Sequence, residues 1–181
     1  MPGINKRWSK TVLSVCLIVQ LCGCATDWRT ASRESAGLAP DPALTEDAIL
    51  QVYAADAWGW RGWFAIHTWI AAKHTAAPTY TVYEVVGWRQ YSGLPVLRIE
   101  PDLPDRRWYG SQPRLLVEHR GAAVDQLIDA VDAAARSYPW SSTYRVFPGP
   151  NSNTFTAWIA GQVPALNLTL PFSAFGSGYR E

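Results

Sequence analysis

YRVFPGPNSNTFTAWIAG, residues 144–161, sets a stiff turn, four small polar side chains and a short apolar helical face side by side. Pro148 and Pro150 fix their own φ and push the residue before each out of the α region, so a strand predicted over Thr143–Phe147 stops there. Asn151, Ser152, Asn153 and Thr154 follow, all types that favour helix N-caps. Phe155, Trp158 and Ile159 then fall at i, i+3 and i+4, which predicts a helix over Asn153–Ala160 with Gly161 as the glycine that ends it. Ser152 has two readings. It is a cap of that helix, or it is a nucleophile held by a rigid turn and assisted by the positive end of the helix dipole.

Upstream, AAVDQLIDAVDAAARS, residues 122–137, is the clearest helix. Val124, Leu127, Ile128 and Val131 follow the 3.6 period, and Asp125, Asp129, Asp132 and Arg136 occupy the other side. Tyr138-Pro139 ends it. RLLVEHR, residues 114–120, suits a strand or a helix. Residues 100–110 read as a loop from their prolines and acids. Leu94–Ile99 and TYTVYEVVGWR, residues 79–89, read as strands from their Val, Tyr and Thr content. Trp63–Lys73, WFAIHTWIAAK, is apolar on both faces, as in a sheet covered on both sides. ILQVYAADAW, residues 49–58, is read as a strand in preference to a helix, because Trp58–Gly62 then turns into the next strand. Downstream, residues 162–181 are extended and loop-like. The expected fold is α+β: one antiparallel sheet with two helices packed on it.

The chain opens MPGINKRWSK, followed by an apolar run from Thr11 to Leu21 too short to span a bilayer. This is the pattern of an export signal, and Leu21-Cys22-Gly23-Cys24 resembles a bacterial lipobox with Cys24 as the lipidated residue. Residues 1–23 are therefore expected to be a lipoprotein signal peptide. Ala25 after the cysteine resembles the rule for the outer membrane, facing the periplasm. Of the three cysteines, cleavage leaves Cys24 alone, which excludes a disulfide framework, a cysteine zinc site and a cysteine nucleophile. It also leaves thirteen Lys and Arg against fifteen Asp and Glu, with no basic run, so nucleic acid is not an expected partner. The membrane, through Cys24, is the expected one. Residues 24–44, rich in Ala, Ser, Pro and charge, read as a flexible tether, and residues 45–181 as a single globular domain.

His67 lies among Trp63, Phe64, Ile66 and Trp69, as a core histidine or as a general base. If Lys73 and Pro78 face each other across the turn, Glu84 stands directly opposite His67 and Val82 opposite Trp69. Glu84 is then either the group that orients His67 or a plain ion-pair partner for an arginine. His74 and His119 read as surface residues. Three histidines with no i, i+4 pair argue against a metal site, and no cofactor is expected. Trp58, Trp60, Trp63 and Phe64 read as core in preference to a sugar or lipid platform.

FAIHTWIAAK, YEVVGW and YRVFPGPNSNTFTAWI resemble a bacterial family known only as domain of unknown function 3750, over about residues 48–179. Members often end in a Gly-Lys-Asp-Tyr-like element, where this chain has Gly176-Ser177-Gly178-Tyr179. Asn151-Ser152-Asn153-Thr154-Phe155 also resembles the nucleophile string of circularly permuted papain-like hydrolases of the NlpC type, with Ser in place of Cys and with His67 on a preceding strand. That resemblance implies a permuted papain-like arrangement. Two functions follow. The first is a non-catalytic envelope lipoprotein, a binding or scaffold module. The alternative is a hydrolase-like enzyme acting on an envelope amide or ester through Ser152, His67 and Glu84, with helix amides near Asn153 and Thr154 receiving the oxyanion.

Overall fold

The computed structural model describes residues 27–180, so the expected signal peptide and Cys24 lie outside the described residues. Five strands form one antiparallel sheet: β1 (Ile49–Asp56), β2 (Ile66–Lys73), β3 (Thr81–Val85), β4 (Leu97–Pro101) and β5 (Arg114–Arg120), in the spatial order β4-β3-β2-β1-β5. The ambiguous RLLVEHR segment is therefore an edge strand, paired with β1. Two helices, α1 (Val124–Arg136) and α2 (Ser152–Gln162), complete an α+β fold. Among the described residues no helix is long and apolar enough to cross a membrane.

The sheet is covered on both faces, which explains why β1 and β2 lack polar alternation. Leu50, Val52, Ile70, Ala72, Tyr83 and Val85 meet α1 and α2 on one face. Tyr53, Trp69, Ala71, Tyr80 and Val82 form a second core on the other, closed by Ala31, Trp108 and Tyr109. Loops thus cover the second face. Asp105 ties two of them together: it accepts from Ser35 Oγ and from the N–H groups of Leu38 and Ala39. Residues 27–44, expected to belong to a flexible tether, include this packed segment, and Tyr80 also donates to the Pro40 carbonyl.

Several elements differ from expectation. The register of β2 on β3 pairs Ala71 with Val82, not Trp69 with Val82. The shift is two residues, so every side chain keeps its face, and Glu84 is a diagonal rather than a direct neighbour of His67. Residues 143–147 form no strand, because the Arg145 N–H bonds to the Pro150 carbonyl and closes a loop there. Both peptide bonds into Pro148 and Pro150 are cis. Helix α2 runs through Gly161 to Gln162, since Val163 rather than a glycine ends it. The strand expected from Trp63 begins at Ile66, after a 3-10 turn over Gly59–Trp63. Trp60, Trp63 and Phe64 are accordingly exposed, with Trp63 at 91%, and are not core.

Candidate functional site

The polar string before α2 divides into three anchors and one free side chain. Asn151 is the N-cap: its Oδ1 accepts from the N–H groups of Asn153 and Thr154, and Thr154 Oγ1 accepts the Asn151 N–H in return. The Asn151 amide nitrogen donates to the carbonyls of Val146 and Phe175. Thr154 Oγ1 also donates to the Gly176 carbonyl. Asn153 reaches the sheet, donating to the Ile66 and Phe175 carbonyls and accepting from Thr68 Oγ1. All three residues are buried.

Ser152 is the exception. It is the first helical residue rather than the cap, and only its carbonyl is engaged, by Thr68 and Thr156. Neither its Oγ nor its N–H makes a hydrogen bond to any of the described residues. Ser152 lines a cavity of about 470 Å³ together with His67, Trp58, Trp88, Trp108 and Tyr144. His67 arrives there because Asn153 grips Ile66 and Thr68, the residues on either side of it. The two candidate residues thus share one cavity, and in this structure they are not hydrogen-bonded to each other.

His67 stacks on Trp108, with ring centroids 3.5 Å apart and planes 7° from parallel. Its Nε2 lies 3.5 Å from Glu84 Oε2, at the long edge of hydrogen bonding, and neither atom has another partner. Its Nδ1 makes no hydrogen bond among the described residues. Glu84 is fully buried, and its Oε1 accepts from Arg98 Nη1 and Arg106 Nη2, each at 2.5 Å. Asp102 braces both arginines.

Burial alone would raise the Glu84 pKa, but the His67 contact and the arginines outweigh it and hold the carboxyl well below its usual range. Burial lowers the His67 pKa, and Glu84 only partly offsets this. The physical reason is that two guanidiniums already neutralise Glu84, leaving little attraction for an imidazolium. His67 is therefore a neutral imidazole beside an ionised carboxylate near pH 7, the state a general base requires.

The other histidines are elsewhere. His74 pairs with Asp125 just past the end of β2, and His119 Nε2 donates to the Leu166 carbonyl. The helix amides of Asn153 and Thr154, expected to receive an oxyanion, are occupied by Asn151; the Ser152 N–H is the one left open. Sequence reasoning missed Arg98, Arg106 and Trp108. They lie in or beside a segment read as a charged loop, and nothing in its composition signals that it folds back onto the sheet face.

The family model described as Protein of unknown function (DUF3750) matches residues 47–179. This chain belongs to that family. No curated protein and no solved structure matches it. The DUF3750 region takes in β1 through α2, and so contains His67, Glu84 and Ser152, the Asn151–Thr154 network and Trp108. Cys24 and the segment carrying Ser35 lie before it.

Proposed function

We propose that this DUF3750 chain is a lipid-anchored cell-envelope protein whose Ser152 cavity hydrolyses an amide or ester. The observation that carries the reading is Ser152 itself. Its neighbours Asn151, Asn153 and Thr154 spend their side chains on the fold, while the Ser152 hydroxyl stands unbonded at a helix start in the cavity that holds His67.

In this reading Ser152 Oγ attacks the carbonyl carbon of the substrate, and His67 Nδ1 accepts the hydroxyl proton. The Ser152 N–H stabilises the developing oxyanion. His67 then gives the proton to the departing alcohol or amine, leaving an acyl-serine. A water, deprotonated by His67, releases the acid and restores the serine. Glu84 orients the ring through Nε2. His67 points to the sheet face opposite α2 and meets Ser152 only in the shared cavity at the end of β2, so the reaction requires a rearrangement there that brings Oγ onto Nδ1.

The rim supports an envelope setting. Trp60, Phe64, Phe175 and Phe172 form a chain of ring contacts, and Phe175 lines the cavity. Trp60, Phe64 and Phe172 are 66%, 49% and 94% exposed, a contiguous apolar border suited to a membrane interface. The anchor rests on Leu21–Cys24, and Ala25 supports placement on the outer membrane, facing the periplasm.

A fluorophosphonate probe tests the reaction. Wild type is expected to be labelled, Ser152→Ala not at all, and His67→Ala about 100-fold more slowly. Equal labelling of wild type and Ser152→Ala sinks the hydrolase. One observation favours the second reading, a non-catalytic binding module: His67 is clamped between Trp108 and Glu84 without a bond to Ser152. That module would bind ligand in the same cavity and leave the probe unreacted.

A further inference from the structure

We propose that a second cavity, sharing Trp88 and Trp108 with the Ser152 cavity, is a binding subsite for an oxyanion, a carboxylate or phosphate carried on an organic ligand. It has a volume of about 320 Å³, and five arginines line it: Arg33, Arg89, Arg98, Arg106 and Arg107.

The charges there do not balance. Arg98 is paired with Glu84, Glu100 and Asp102, and Arg106 with Glu84 and Asp102. Arg89 lies 3.9 Å from Glu100 and donates to the Pro95 carbonyl. Three carboxylates thus serve three arginines. Arg33 and Arg107 form no ion pair among the described residues: Arg33 lies over the Tyr109 ring and Arg107 donates to Gln112.

A second, independent observation points the same way. Arg106 is 7% exposed, yet its Nη1 is buried without an acceptor. A guanidinium carries five donors and no acceptor, and a buried donor left open is costly. The cavity wall therefore has two cations in excess, and the open Arg106 donor lies behind it, closed to solvent until the guanidinium turns towards a ligand. An oxyanion supplies both the charge and the lone pairs, and arginine forks match carboxylate and phosphate geometry. Trp88, 45% exposed, lines both cavities and offers the organic part of the ligand an apolar contact between them. The inference does not depend on Ser152 reacting.

The experiment titrates the full chain with inorganic phosphate and, separately, with acetate, at constant ionic strength set by chloride. Tryptophan fluorescence is the readout, and loss of the change in Trp88→Phe assigns it to this cavity. Saturable quenching by at least one anion is expected, and the stronger arm identifies phosphate or carboxylate. Arg33→Gln and Arg107→Gln should each weaken binding by about tenfold. Both side chains are solvent-accessible and outside the Glu84 network, so both variants should keep the wild-type melting temperature. Arg136→Gln, on α1, should bind as wild type does. Ser152→Ala should also bind normally, which separates failure of this site from failure of the hydrolase. Linear quenching by both anions, or equal weakening by Arg136→Gln, overturns the proposal.

Discussion

Ser152 and Asn151 are adjacent, both buried, and differ completely in what the fold asks of them. Asn151 accepts two helix N–H groups and donates to two carbonyls. Asn151→Ala removes the cap and strands the Val146 carbonyl, while Asn153 still serves the Phe175 carbonyl, and should cost about 2 kcal/mol in urea unfolding. Ser152→Ala removes a hydroxyl without a partner, so its stability should stay within about 0.5 kcal/mol of wild type. A large loss in Ser152→Ala would make the serine structural. Gly176 belongs to the same arrangement, since it has φ +91° and a Cβ there would collide with the Asn151 amide. His67 gives a pH signature. Its pKa is lowered in the fold, so its contribution to stability is fully present above its unfolded value of about 6.5. That contribution should be lost as pH falls through the folded pKa. In His67→Phe, which stays uncharged, the difference in unfolding free energy between pH 7.5 and pH 5 should shrink; an unchanged difference would mean His67 is not held neutral.

At the scale of elements, β2 connects the cores to the cavity. Its even residues, with Thr68 among them, meet α2, and its odd residues, His67 and Trp69, meet Trp108. Trp69 is wholly buried, stacks on Tyr53 and donates to the Pro104 carbonyl. Trp69→Ala should destabilise by about 3–5 kcal/mol and lower the melting temperature accordingly. Part of that loss comes from freeing the 102–111 loop, so His67 should become more accessible to diethyl pyrocarbonate in this variant. Unchanged modification would mean that the loop is held without Trp69.

On the scale of the whole molecule, Glu84 is the point where sheet, loop and cavity meet. Arg98 comes from β4, Arg106 from the loop after it, and His67 from β2. Glu84→Ala removes the buried carboxylate that Arg98 and Arg106 share, leaving Arg106 with Asp102 alone and Arg98 with Asp102 and Glu100, and should cost about 3 kcal/mol, read by denaturant melts. The proposed lipid anchor has its own outcome: Cys24→Ala should leave the membrane fraction, and a variant that still fractionates like wild type overturns the lipobox reading.

The sequence by itself determined the elements whose signal is local. The 3.6 period of Val124, Leu127, Ile128 and Val131 is α1; the apolar run of β2 announced a sheet covered on both faces; the PGPNSNT string marked the start of α2. It also brought His67 and Glu84 to one face, because a hairpin slip of two residues preserves the side to which each side chain points. Tertiary structure alone decided the rest. Which of four capping residues caps depends on carbonyls at Val146 and Phe175, far apart in the chain. Whether Trp63 is buried depends on a turn that ends before the strand begins. That Arg98, Arg106 and Trp108 surround Glu84 and His67 depends on a loop folding under the sheet, driven by long-range contacts such as Trp69 to Pro104 that leave no periodicity to read.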